Sequence, residues 1–119
     1  MNKIVNLTQH NPTTQQLAAG VFDYDQESVK ALLNFGGIPS KDNINAKAAA
    51  LAEVALASGA TSAMVGGAPY LMAPLVMALR RRGIAPLFSF TQRESMETPD
   101  GKGGVVKTSV FNHVGFVEV

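Results

Sequence analysis

The sequence predicts a single α/β domain, with parallel core strands and an antiparallel hairpin added at the C-terminal end. Three observations lead there. Short apolar runs at residues 4–7, 61–65 and 84–90 read as strands. Helix-patterned stretches lie between them, so consecutive strands need crossovers and pair in parallel. After residue 99 a glycine-rich turn sends the chain back as a further β-type run.

The first strand, Ile4 to Leu7, leaves through the polar segment Thr8-Gln9-His10-Asn11-Pro12. Thr13 and Gln16 have the Thr-x-x-Gln spacing of a capping box, so a short helix is expected over residues 14–19, stopped by Gly20. Residues 21–23 suit a short strand or a loop. Asp25 is placed to cap a second helix with Val29, Leu32 and Leu33 facing inward. Phe35-Gly36-Gly37-Ile38-Pro39 is a loop, because two glycines and a proline suit neither regular element.

Ser40 or Asp42 caps the clearest helix, which runs to about residue 58. Ile44, Ala48, Leu51 and Ala55 form one stripe, with Val54 beside it. The many alanines allow close approach to a sheet, and Gly59 ends the helix. The strand at 61–65 lacks alternation, as expected when both faces are covered. Gly66-Gly67 then leads into a helix over residues 68–82. Pro69 and Pro74 cannot both occupy its first turn, so it begins near Ala73 or begins earlier and kinks. Arg80, Arg81 and Arg82 complement the negative end of its dipole. The third strand, 84–90, continues to Glu97. Residues 99–104 turn, 105–111 return with Val106, Thr108 and Val110 on one face, and 114–117 form a last strand. The whole, residues 1–119, is expected to be one Rossmann-like three-layer domain.

Composition narrows the function classes. A chain of 119 residues with 46% hydrophobic content can form one ordinary core. A net charge of +1 argues against a duplex nucleic-acid module or a polybasic membrane binder. With no cysteine, disulfides, thiolate zinc sites and cysteine nucleophiles are excluded. The start has no signal-peptide pattern, and no apolar run approaches the ~20 residues of a membrane span, so a cytoplasmic location is expected.

Candidate chemistry gathers where parallel strands end. Three strand ends are expected to meet at the carboxyl edge: Thr8-Gln9-His10, Gly66-Gly67-Ala68 and Thr91-Gln92-Arg93. They offer hydroxyls, amides, an imidazole, a guanidinium and open backbone N–H groups, which suits a phosphate or nucleotide. Gly66-Gly67 is neither a Gly-x-Gly-x-x-Gly fingerprint nor a P-loop, and a tight turn alone would also require glycine. Arg93 has the fork for bidentate phosphate contact, or it pairs with Glu94 or Glu97 across the hairpin. Tyr70 could stack on a base or plug a dimer interface. His10 is the candidate acid/base residue, and a loop histidine that merely packs is the plainer reading. His113, among Phe111, Val114 and Phe116, reads as a satisfied sheet residue. No metal and no cofactor are expected, because the two histidines are distant in sequence with no carboxylate at ligand spacing.

Val5-Asn6-Leu7-Thr8 with Pro12-Thr13-Thr14-Gln15-Gln16-Leu17, and Val65-Gly66-Gly67-Ala68-Pro69 with Ala73-Pro74-Leu75, resemble small CRISPR-associated Rossmann-like (CARF-like) proteins. The likeness covers the first twenty residues and about 60 to 90. It extends to uncharacterised bacterial and prophage accessory proteins. It implies a homodimer that binds a cyclic oligonucleotide at the strand carboxyl ends, with metal-independent cleavage in some members. Thr8 and Gln9 would then line the ligand loop, and Gly66 and Gly67 would supply backbone donors. The extended hairpin departs from that pattern. A different class remains open: a non-enzymatic homo-oligomeric adaptor that uses the hairpin for protein–protein contact.

Overall fold

A computed structural model describes residues 3–119, with the side chains of residues 94, 96, 110 and 111 outside the description. Nine elements follow in order: β1 Ile4–Leu7, α1 Thr14–Ala18, β2 Val21–Phe22, α2 Gln26–Leu33, α3 Lys41–Ala57, β3 Ser62–Val65, α4 Pro69–Arg81, β4 Ala85–Pro99 and β5 Val105–Glu118. They build a mixed α/β fold around one five-stranded sheet of order β2-β1-β3-β4-β5. β2, β1, β3 and β4 are parallel, and β5 is antiparallel to β4.

The helix starts follow local chemistry. Thr13 Oγ1 accepts from the Gln16 backbone N–H at 3.1 Å, and Gln16 Oε1 accepts from the Thr13 N–H at 3.0 Å. Both halves of the expected capping box are therefore made, and Gly20 follows at φ +104°. Replacing Thr13 with alanine should cost about 0.5–2 kcal/mol of stability, read as a lower urea midpoint with an unchanged m-value. Ser40, the first of the two expected caps, accepts from the Asn43 N–H at 3.1 Å.

Asp25 differs from expectation. It occupies the N-cap position of α2 but lies at φ +48°, and its side chain makes no capping bond. The left-handed backbone, which aspartate tolerates better than most residues, turns the carboxylate away from the first-turn N–H groups. α4 begins at Pro69, the earlier of the two expected starts. Pro69 loses nothing at the first helical position, and Pro74 sits inside the helix, where it leaves the Tyr70 carbonyl without its usual i+4 donor.

The main core lies on one face of the sheet. Val29 and Leu33 of α2, Ala48, Leu51, Ala52 and Ala55 of α3, and Leu71, Leu75 and Leu79 of α4 pack on Val5, Leu7, Ala63 and Val65. The α3 stripe is the expected one, with Ala52 buried where Val54 is only partly so. The other face carries a smaller cluster of Ile4, Val21, Met64 and Leu87, with Phe116 against it.

The C-terminal part is longer and simpler than expected. The returning chain is one strand from Val105 to Glu118 rather than two. A register shift at Phe90/Thr91 absorbs the break suggested by Asn112-His113. Val106 and Thr108 are exposed, and the Val110 side chain, expected to share their face, lies outside the described residues. The last β3–β4 pair is Val65 with Phe88, so β4 runs on for eleven more residues with β5 as its partner. At the usual strand rise that is a ribbon of about 37 Å. It raises the radius of gyration to 17.0 Å, against about 13.5 Å for a compact chain of this length.

At the ribbon's tip, Asp100 accepts from the N–H groups of Lys102 at 2.7 Å and Gly104 at 3.0 Å. These bonds hold its carboxyl below the usual range. The turn gains this support above the normal carboxylate pKa and loses it as pH falls through the depressed value.

Candidate functional site

The site is built on a buried polar residue inside an apolar strand. Asn6 is 1% exposed, on β1 between β2 and β3. Its Nδ2 donates to the His10 carbonyl at 2.8 Å and to Asp23 Oδ1 at 3.0 Å. Its Oδ1 accepts from the Thr8 N–H at 3.0 Å and the Thr8 hydroxyl at 2.6 Å. Both donors and both acceptor positions are used, so the side chain is fully satisfied. The bond to the N–H two residues on makes an Asx turn, which bends the chain out of β1. Asn6 thus fixes residues 8–10 and ties them to the end of β2.

β3 ends beside this turn. Leu7 pairs with Val65 in the parallel ladder, so Thr8 and Gly66 leave the sheet as neighbours. A Cβ placed on Gly66 would meet Thr8 Cγ2 at 3.4 Å. Gly67 lies at φ +147°, which L side chains rarely adopt, and a Cβ placed on it would meet Leu33 Cδ2 at 3.6 Å and Met72 Cε at 3.7 Å. The two tips enclose a cleft of about 220 Å³ lined by Thr8, Gln9, His10, Gly66 and Gly67. Five of the expected site residues are thereby brought together. His10 is exposed, and Asn6 and Thr8 hold its backbone.

Gln9 also borders a second hollow of about 350 Å³ with Lys30 and Asn34 of α2 and its exit. Beyond it, Lys47 Nζ donates to the Asn34 carbonyl at 2.5 Å and stands 4.3 Å from the centre of the Phe35 ring. Tyr70 meets Phe35 edge-on at 5.2 Å and lines an apolar hollow of about 460 Å³ with Gly37, Ile38, Pro39 and Ile44. Ala68, the N-cap of α4, packs against the main core rather than lining the cleft.

The third expected strand end is not an end. Thr91, Gln92 and Arg93 are interior residues of β4, because β5 continues to supply ladder partners beyond the sheet. Arg93 lies five residues past Phe88, about 17 Å along the strand, and donates to Ser109 Oγ at 3.0 Å. Glu94, one expected partner of Arg93, has its side chain outside the described residues, and Glu97 lies 3.8 Å from Lys107 instead.

A family model matches residues 2–117 of the chain. The chain belongs to the Uncharacterized protein MJ1673 family. No curated protein and no solved structure matches it. The match to this MJ1673 family member runs through both cleft loops and nearly the whole ribbon.

Three site features escape a reading of the sequence. Asn6 had a signal: one amide in a four-residue apolar strand must find partners if both faces are covered. Lys30 had none, because its approach to Gln9 depends on how α2 lies against β1; Asp23, with Asp25, is expected near the pocket from the sequence, and the structure adds its bond to Asn6. Ser89 and His113, 2.6 Å apart, are 24 residues distant in the chain. Among the described residues no group of three or more His, Asp or Glu could hold a metal ion, and no helix is long and apolar enough to cross a membrane.

Proposed function

We propose that the cleft between residues 8–10 and 66–67 binds the phosphate of a nucleotide-like ligand. The observation that supports this most is its place in the topology. The chain passes from β1 outward to β2 and then from β2 back across β1 to β3. In parallel sheets of this order, the point where the winding direction reverses leaves a crevice at the strand carboxyl ends, and ligands bind there. The cleft is made by the loops leaving β1 and β3, the two strands that flank that reversal. A Rossmann-like reading of the fold accords with this order. Right-handed crossovers would put α1 on the face opposite α2, α3 and α4, and the bond from Gln16 of α1 to Ser89, on the Leu87 face, is consistent with it.

The neighbouring hollows suit the rest of a nucleotide. Lys30 brings a cation next to Gln9, and the Tyr70–Ile38–Pro39 hollow offers an apolar wall for a base. The resemblance to CARF-like proteins makes a cyclic oligonucleotide the longer ligand to test, reaching toward Arg93 on the ribbon. Calorimetry with adenosine monophosphate and with a cyclic oligoadenylate should detect binding. Gly67→Val, which strains the turn and adds bulk, should weaken it at least tenfold, and Lys30→Ala less. Equal affinity in the folded Gly67→Val protein, or no binding of either ligand, removes the cleft from consideration. Arg93→Ala should matter for the cyclic ligand alone if the ribbon takes part.

A second reading, a homo-oligomeric cytoplasmic accessory protein, is favoured by the ribbon. A two-stranded hairpin is marginal alone in water, yet this one exposes Phe90, Val105, Val106, Val114 and Val117. A second copy would cover those side chains and the open edge of β5. Light scattering should give twice the monomer mass, returning to one on replacing residues 94–108 with a two-residue turn. A monomeric intact chain at high micromolar concentration overturns this reading.

A further inference from the structure

Ser89 and His113 form a serine–imidazole pair, and a third residue, Gln16, donates to the serine. Ser89 Oγ lies 2.6 Å from His113 Nδ1, at the register shift of the ribbon's base. Gln16 Nε2 approaches Ser89 Oγ at 3.3 Å. The orientation of that amide is set by the capping box, since Gln16 Oε1 accepts from the Thr13 N–H. An amide NH2 only donates. Ser89 Oγ therefore accepts from Gln16, which leaves its single proton available to Nδ1. In the Nε2–H tautomer of His113 the Nδ1 lone pair takes the serine proton, and that is the form in which the pair acts as nucleophile and base. The Phe116 ring, centred 4.6 Å from the imidazole, backs it from one side. A serine hydroxyl within hydrogen-bond reach of an imidazole is the core of the constellation that activates serine; here the third group, Gln16, holds the serine and not the base.

The pair lies at the edge of the sheet on which the cleft opens, though it does not line the cleft. Ser89 follows Phe88, the partner of Val65, and Gly66 follows Val65. Ser89 thus stands one strand from Gly66, about 5 Å.

We propose that Ser89 is a nucleophile toward phosphorus, that His113 is its base and that Gln16 is their positioning residue. The substrate class is a phosphodiester held at the β1/β3 rim, so the proposal rests on the phosphate reading of that cleft. The Ser89 Oγ–P bond forms as the P–O bond to one alcohol breaks. His113 Nδ1 takes the seryl proton and passes it to the departing alkoxide. Water then attacks the phosphoseryl ester, giving a proton to His113, which returns it to Ser89 Oγ as the P–O bond to serine breaks. The net change is hydrolysis of one ester bond.

Diisopropyl fluorophosphate tests the pair without a natural substrate: Ser89 Oγ displaces fluoride and retains the phosphoryl group. Intact-mass and peptide mapping of the full chain should find one adduct, on Ser89. The labelling rate should rise as pH is raised, because only a neutral imidazole can take the seryl proton. His113→Gln should slow it at least tenfold. Gln16→Ala should slow it severalfold with a shifted pH profile, which loss of helix stability alone would not produce. An unmodified Ser89 in the folded native chain across pH 6–9 overturns the proposal, as does labelling indifferent to His113→Gln. The outcomes separate from those of the cleft: an unlabelled Ser89 with intact nucleotide binding defeats the nucleophile only, and a labelled Ser89 without such binding defeats the phosphate cleft.

Discussion

Leu71→Ala should destabilise the protein by about 2–5 kcal/mol, the range for removing a buried leucine from a packed core. Leu71 is fully buried in the first turn of α4, where its N–H bonds the Ala68 carbonyl at 3.0 Å. Deleting three of its carbons loses their transfer free energy and leaves a cavity that the sheet cannot collapse to fill, because Val65 and Ala63 are held in the ladder. The same helix supplies the control. Met77 is 54% exposed, and Met77→Ala should stay within about 0.5 kcal/mol. Urea titration of both variants distinguishes them. Comparable losses would mean that α4 presents a different face to the sheet.

Asn6→Leu should cost roughly 1–3 kcal/mol, the range for leaving hydrogen-bonding groups unpaired. Leucine fits the strand but abandons the Thr8 N–H and hydroxyl, the His10 carbonyl and Asp23 together. The larger consequence is for the cleft, since residues 8–10 lose the turn that shapes it. Amide exchange there should accelerate while α3 stays protected, and the nucleotide affinity proposed for the cleft should fall with it. Asn6→Asp is a sharper probe. It keeps the acceptors but sets a second carboxylate against Asp23, and burial with like charge raises a carboxyl pKa. A raised native pKa means that stability is lost as pH rises. The deficit of Asn6→Asp relative to the parent should therefore be greater at pH 7 than at pH 4. A pH-independent deficit would show that Asp23 is not the partner.

The legible parts of the fold were local. The Thr13–Gln16 box, the Ser40 cap, the α3 stripe and the Gly66-Gly67 break all depend on residues within one or two turns of each other. The meeting of residues 8–10 with 66–67 was legible for a related reason, because strands joined by crossovers must end on the same edge. The parts not legible were those in which distant segments choose partners. Asp25 has the residue type of a cap but the wrong backbone, set by how β2 enters α2. Arg93 was expected at the rim, yet β4 does not stop there.

By itself, then, the sequence determined the α/β class, most helix starts and the edge at which the cleft opens, since spacing and end-capping act over a few residues. Tertiary structure alone decided the single long β5, the removal of Arg93 to the ribbon, the Asn6–Asp23 link and the Ser89–His113 pair. Each of these needs a ladder register, and a register is a relation between strands that neither strand's residues specify alone.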